Sequence, residues 1–137
     1  MLHDGMLPAF RDAEDVVLDL LEGFFNPAGY DRVVWMDTET FDGDRFEHSL
    51  PFIRVGRTGG APRRGDEHTD APVIDIDVLA TTRREAKQIA DTIQQFLVST
   101  PYPIDVCNVL ISPQKVEWQE GSPLRRFYAS YHLALRR

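Results

Sequence analysis

Asp75 and Asp77 stand two residues apart in the segment VIDIDVLATT. On a strand, carboxylates at that spacing point to one side and could share a hard cation such as Mg²⁺. Aspartyl-phosphate hydrolases open with a D-x-D of this kind after a hydrophobic strand, but they place it near the N-terminus and need a later lysine and a further acidic pair. Here Asp75 lies past the midpoint and no acidic pair follows. The two carboxylates therefore read as members of a sheet face that meets solvent or a neighbour, with a small metal-dependent hydrolase using Asp75 and Asp77 kept as the enzymatic alternative.

The other chemistry-bearing groups are weaker. Ser130 and His132 share a strand face but lack an evident acid partner or a nucleophile elbow. His3, His48, His68 and His132 are too scattered to form a metal set. The run DEHTD supplies Asp66, Glu67, His68 and Asp70 in a polar stretch without the supporting groups that orient ligands. GRTGGAPRRG has the glycines of a phosphate cradle, yet no lysine followed by Ser or Thr opens a helix after it, and the next element is a strand. The tripeptide Arg64, Gly65, Asp66 is short enough to arise by chance. Trp35, Trp118 and the aromatics of the last strand read as core or interface, since no basic groove accompanies them. Cys107, the single cysteine, reads as a small buried hydrophobe. These residues point to no catalytic site, no cofactor and no metal centre, and so to a protein that is not an enzyme.

The composition sets similar bounds. A chain of 137 residues with 42% hydrophobic and 27% charged residues fits one globular domain with a single core. No apolar run approaches the roughly 18 residues of a membrane span, and no signal-peptide pattern opens the chain. The expectation is a protein made in the cytoplasm, with no membrane partner. The net charge of -7 disfavours gripping DNA by its phosphates. That charge is uneven: four arginines (Arg54, Arg57, Arg63 and Arg64) fall between positions 54 and 64 with no acid among them.

The elements that must position these groups follow from periodicity. Pro8 precedes Ala13, Val16, Val17, Leu20, Leu21 and Phe24 at helical spacing, and Asn26, Pro27 and Gly29 end that helix. Residues 32–36 and LPFIRVGR from Leu50 read as strands. The stretch from Gly59 to Asp70 has no apolar residue beyond Ala61 and is too polar to pack, so an exposed arm or loop is expected over about 57–72. PVIDIDVLA alternates as a half-buried strand. Thr82 and Glu85 form a capping-box pattern before a helix whose stripe is Ala86, Ile89, Ala90, Ile93, Phe96 and Leu97. IDVCNVLI is a strand that SPQKVEW continues after an interruption at Pro113, and RRFYASYHLAL alternates as the last. The order α-β-β-β-α-β-β predicts an α+β fold: two helices on one face of a mostly antiparallel sheet of about five strands. Asp75, Asp77, Tyr128, Ser130 and His132 would lie on the other face.

Three blocks in this order, LPFIRVGRTGG (50–60), DAPVIDIDVLATTRREAKQIADTIQQFL (70–97) and RRFYASYHLALRR (125–137), resemble the tail terminator, or tail completion, proteins of long-tailed bacteriophages, especially those of actinobacterial hosts. The resemblance runs from about Pro8 to the end of the chain. It implies a structural protein of the virion tail at the head-tail junction, made in the host cytoplasm. In that role a homo-hexameric ring caps the tail tube, ends its polymerisation and presents the interface to the head connector. The implied partners are further copies of the chain, the major tail tube protein and a head-closure or connector protein, while genomic DNA passes through the channel without specific binding. The resemblance brings no catalytic residues. Arg54, Arg57, Arg63, Arg64, Asp75, Asp77 and Arg136 are the residues expected at the subunit or tube interface. A head-closure, connector-adaptor or tube protein is the structural alternative.

Overall fold

The computed structural model describes residues 12–26, 35–37, 51–62, 69–117 and 121–136. Helix α1 spans Ala13–Phe25. It begins where the Asp12 carboxylate accepts the Glu14 backbone N–H at 2.8 Å, and Glu14 and Asp15 place negative charge at the positive end of the helix dipole. The start expected near Pro8 lies outside the described residues. Helix α2 spans Arg83–Ser99, and the Thr82 hydroxyl accepts the Glu85 N–H at 3.2 Å as the sequence pattern requires.

The strands are β1 (Trp35–Asp37), β2 (Phe52–Pro62), β3 (Thr69–Ala80), β4 (Ile104–Val116) and β5 (Arg125–Arg136). They are arranged β1-β2-β3-β5-β4. The α+β class is as expected, and the sheet is antiparallel in four strands, with a short fifth strand parallel at its edge. Four strands, β2 to β5, make the antiparallel sheet, whereas β1 adds three residues parallel to β2 through Trp35↔Phe52 to Asp37↔Arg54. Of the strand expected at 32–36, Trp35 and Met36 pair in β1, and residues 32–34 lie outside the described residues.

Alternation places one face of the sheet under both helices. Ile53 opposes Val78, Val55 opposes Ile76, and on the other flank of β3 Ile74, Ile76 and Val78 oppose Tyr131, Ala129 and Phe127. These side chains form one core with Val16, Val17 and Leu21 of α1 and Ala86, Ile93 and Leu97 of α2. The helices meet at Phe24 and Phe96, whose ring centroids are 4.6 Å apart. The Tyr102–Pro103 bond, in the turn between α2 and β4, is cis.

Two segments differ from the expectation. Arg57–Pro62 and Asp70–Pro72, within the span expected to be an arm or loop, run as strand in the distal half of the β2–β3 hairpin, with the register shifting between Arg57 and Gly59. Ladder hydrogen bonds are made by the backbone and need no apolar side chains, so the polar composition did not reveal them. Residues 63–68 lie outside the described residues. The interruption expected at Pro113 is a register shift between Ile111 and Gln114 rather than a break, since β4 is an edge strand and a proline there can turn its missing donor away from the ladder.

Candidate functional site

The sheet face away from the helices brings Asp75 and Asp77 together with the side chains that answer them. On β3 they stand opposite Ser130 and Tyr128 of β5, while Arg54 of β2 pairs with Asp77 from the other side. Asp77 is buried. Arg126 Nε donates to its Oδ1 at 2.6 Å, and the Arg54 guanidinium lies 3.5 Å from its Oδ2. Asp75 accepts from the Ser130 hydroxyl at 2.8 Å and from Thr58 at 3.4 Å. Burial, followed by the neighbouring Asp75 carboxylate, raises the pKa of the Tyr128 hydroxyl, and Arg126 sits 5.8 Å from the centre of that ring.

This arrangement engages Asp75, Asp77, Ser130 and His132, and His3, His48, Asp66, Glu67 and His68 lie outside the described residues. Two guanidinium groups face Asp77 where a hydrolase of the D-x-D type needs a divalent cation, and no group of three His, Cys, Asp or Glu suited to a metal occurs among the described residues. Ser130 is bonded to Asp75 rather than to His132, and His132 Nε2 lies 3.2 Å from the Ala71 carbonyl oxygen. The pair at i and i+2 therefore serves the ladder's surroundings and makes no nucleophile–base couple. Cys107 is half-buried in β4, and burial raises its thiol pKa to about 11, the opposite of an activated thiolate.

The expected interface residues do not form one patch. Arg54, Asp75 and Asp77 meet on the face away from the helices. Arg57 instead grips Asp70 with both terminal nitrogens, and its backbone N–H donates to Glu14 of α1 at 2.7 Å. Arg136 donates to Asp105 at 2.7 Å at the far end of β5. Arg63 and Arg64 lie outside the described residues. Arg126 and Glu14 complete these contacts and were not singled out from the sequence, while Asp70 was weighed there only as a metal ligand. Cross-strand register could have found Arg126, which stands diagonally from Asp77 on the same face.

A family model described as phage tail termination protein matches residues 9–102. The chain belongs to that family. The terminator is thus a structural protein of the bacteriophage tail that acts in tail assembly. No curated protein matches it in sequence. For a structural tail protein, the ionic and hydrogen-bonded face around Asp77 has a ready role. It ties β2, β3 and β5 to one another through side chains. Among the described residues, no helix is long and apolar enough to cross a membrane.

Proposed function

We propose that this protein closes the tail tube as a hexameric ring on its last layer, stopping polymerisation and offering the head connector its docking surface. Membership of the tail termination family, matched over residues 9–102, carries this reading. A ring of identical subunits needs two unlike surfaces per chain, and a rigid α+β sandwich with distinct edges supplies them. The β2–β3 hairpin, with Arg57 at its bulge and Arg63 and Arg64 in its connection, would reach a neighbouring subunit or the tube. The net charge of -7 suits a channel through which DNA passes without being held. In this reading the protein sits at the head-tail junction of the virion and has no reaction to perform.

The deciding experiment mixes the purified chain with polymerising tail tube protein and measures tube lengths by electron microscopy. Capped tubes of arrested length, with the added chain at one end, support the proposal. Tubes that grow as they do without it, with no density at either end, exclude the terminator role; binding to a head connector alone would then favour a neck component.

A further inference from the structure

The two sides of the sandwich differ in a way that the fold and the family do not require. β4 closes the sheet and pairs only with β5, so among the described residues no strand covers its outer edge. Along β4, Val106, Val109 and Leu110 are exposed by 46%, 39% and 53%, with Val109 on the helix side opposite Tyr131 and Val106 on the other side opposite Ala134. Val98 of α2 and Tyr102 of the following turn, also exposed, adjoin β4 in sequence. On α2, Arg83, Lys87, Gln94 and Val98 recur at helical spacing on the flank away from Phe96, which faces α1. Gln94 fixes that flank over the β4 side, because its Oε1 accepts from the hydroxyl of Tyr131, the residue opposite Val109.

The other side of the sandwich is acidic. α1 lies at the β2 side, tied there by Glu14, and residues 12–26 contain five acids (Asp12, Glu14, Asp15, Asp19 and Glu22) and no base. Asp15, Asp19 and Glu22 are exposed. The first turns of α2 supply Arg83, Arg84 and Lys87 against Glu85 and Asp91, and Lys87 and Asp91 form an exposed pair at 2.6 Å.

We propose that the β4 edge and its α2 flank form one half of a self-contact, and that the acidic α1 side of the next subunit forms the other half. This rests on the ring reading above and names its surfaces. The occupant is a second copy because the two charge-complementary patches lie on opposite sides of one sheet and cannot meet within a chain. Unlike patches on opposite sides give a heterologous contact, which is the kind that repeats around a ring. A two-fold β4–β4 contact would bring the cationic turns of α2 onto their own copies and leave α1 outside the contact. The contact is made by side chains rather than by continuing the sheet. Register shifts at Ile104/Val106, Val109/Ile111 and Ile111/Gln114, together with Pro113, interrupt the straight outer ladder that strand addition needs.

Sedimentation equilibrium of the full chain up to about 1 mM, where even contacts of about 4 kcal/mol register, tests this at low and high salt. Two surface variants are used, Val109→Glu with Leu110→Glu, and Asp15→Lys with Glu22→Lys, each checked by circular dichroism for an unchanged fold. Each alone should weaken association about tenfold or more, whereas an equal mixture of the two should form dimers, because one intact half remains on each partner. A wild type that stays monomeric throughout, an α1 variant that associates like the wild type, or a mixture that stays monomeric overturns the contact. Tube capping by the same samples separates the readings. Capping with association indifferent to both variants removes these surfaces and leaves the terminator role; association that follows the prediction without capping does the reverse.

Discussion

Arg57 holds Asp70 across the β2–β3 hairpin through two parallel hydrogen bonds of 2.8 and 3.0 Å. Asp70 is buried and Arg57 partly so, which makes this fork the strongest polar tie in the distal hairpin. Removing one partner leaves the other carrying an uncompensated charge. Arg57→Ala should therefore cost about 3 kcal/mol in urea unfolding, while Arg57→Leu combined with Asp70→Leu should recover most of the loss. Equal destabilisation by the single and double variants would show that the ion pair is not the source of the cost.

Asp77 and Asp75 share a face but carry different weight. Asp77→Ala removes the buried carboxylate that Arg126 and Arg54 face and leaves a void in its place, and a loss of about 2–3 kcal/mol is expected. Asp75→Ala removes the acceptor of the buried Ser130 hydroxyl and should cost about 1 kcal/mol. Thermal unfolding of the two single variants checks the ranking. A metal-dependent phosphatase activity abolished by both substitutions, in protein that melts like the wild type, would revive the hydrolase alternative.

Much of this fold is legible in periodicity. The stripe from Ala86 to Leu97, the Thr82 cap and the alternation of Ile74, Ile76 and Val78 each follow from backbone geometry acting within a few residues. The distal hairpin was not legible, because Gly59 to Pro62 pair through main-chain groups that any residue carries. Nor were the partners of the charged side chains. Arg126 reaches Asp77 from 49 positions away and Arg57 finds Asp70 across a turn, and which opposite charges meet is fixed by register rather than by spacing. The arginines at 54 and 57 looked free for a partner because local sequence shows charge but not its distant counter-charge.

Two protons are held more tightly in the fold than in the open chain. Burial raises the Cys107 thiol from 9.0 to about 11, and burial also raises the Tyr131 hydroxyl above its ordinary value. Between pH 9 and about 11 the folded chain therefore binds more protons than the unfolded one, so stability is fully present below pH 9 and falls as the pH rises through that window, with Tyr131 extending the loss upward. Urea midpoints measured from pH 8 to 11 should decline, and Cys107→Ala should flatten the lower part of the curve. Alkylation of the native thiol at pH 8 should be slow and should quicken on unfolding; a rate equal to that of a free thiol would contradict its protonated, half-buried state.

Gly60 and Gly59 are neighbours in the hairpin with opposite tolerances. Gly60 has φ of 84°, a conformation side chains rarely adopt, and an added Cβ would run into the Ala71 carbonyl oxygen and come within 2.7 Å of the Pro72 Cα. Gly59 has only Val73 side-chain atoms near its Cβ position, at 4.0 Å. Gly60→Ala should consequently destabilise by about 1–3 kcal/mol and raise amide exchange in the distal hairpin, whereas Gly59→Ala should stay within about 1 kcal/mol of the wild type, since it clashes with nothing and restricts the unfolded chain. Because β3 runs on from this hairpin to Asp75 and Asp77, loosening confined to residues 57–62 and 69–73 would show that the hairpin opens independently of the sheet. Loosening that reaches Asp77 and Arg126 would show instead that the bulge sets the register of the whole face away from the helices.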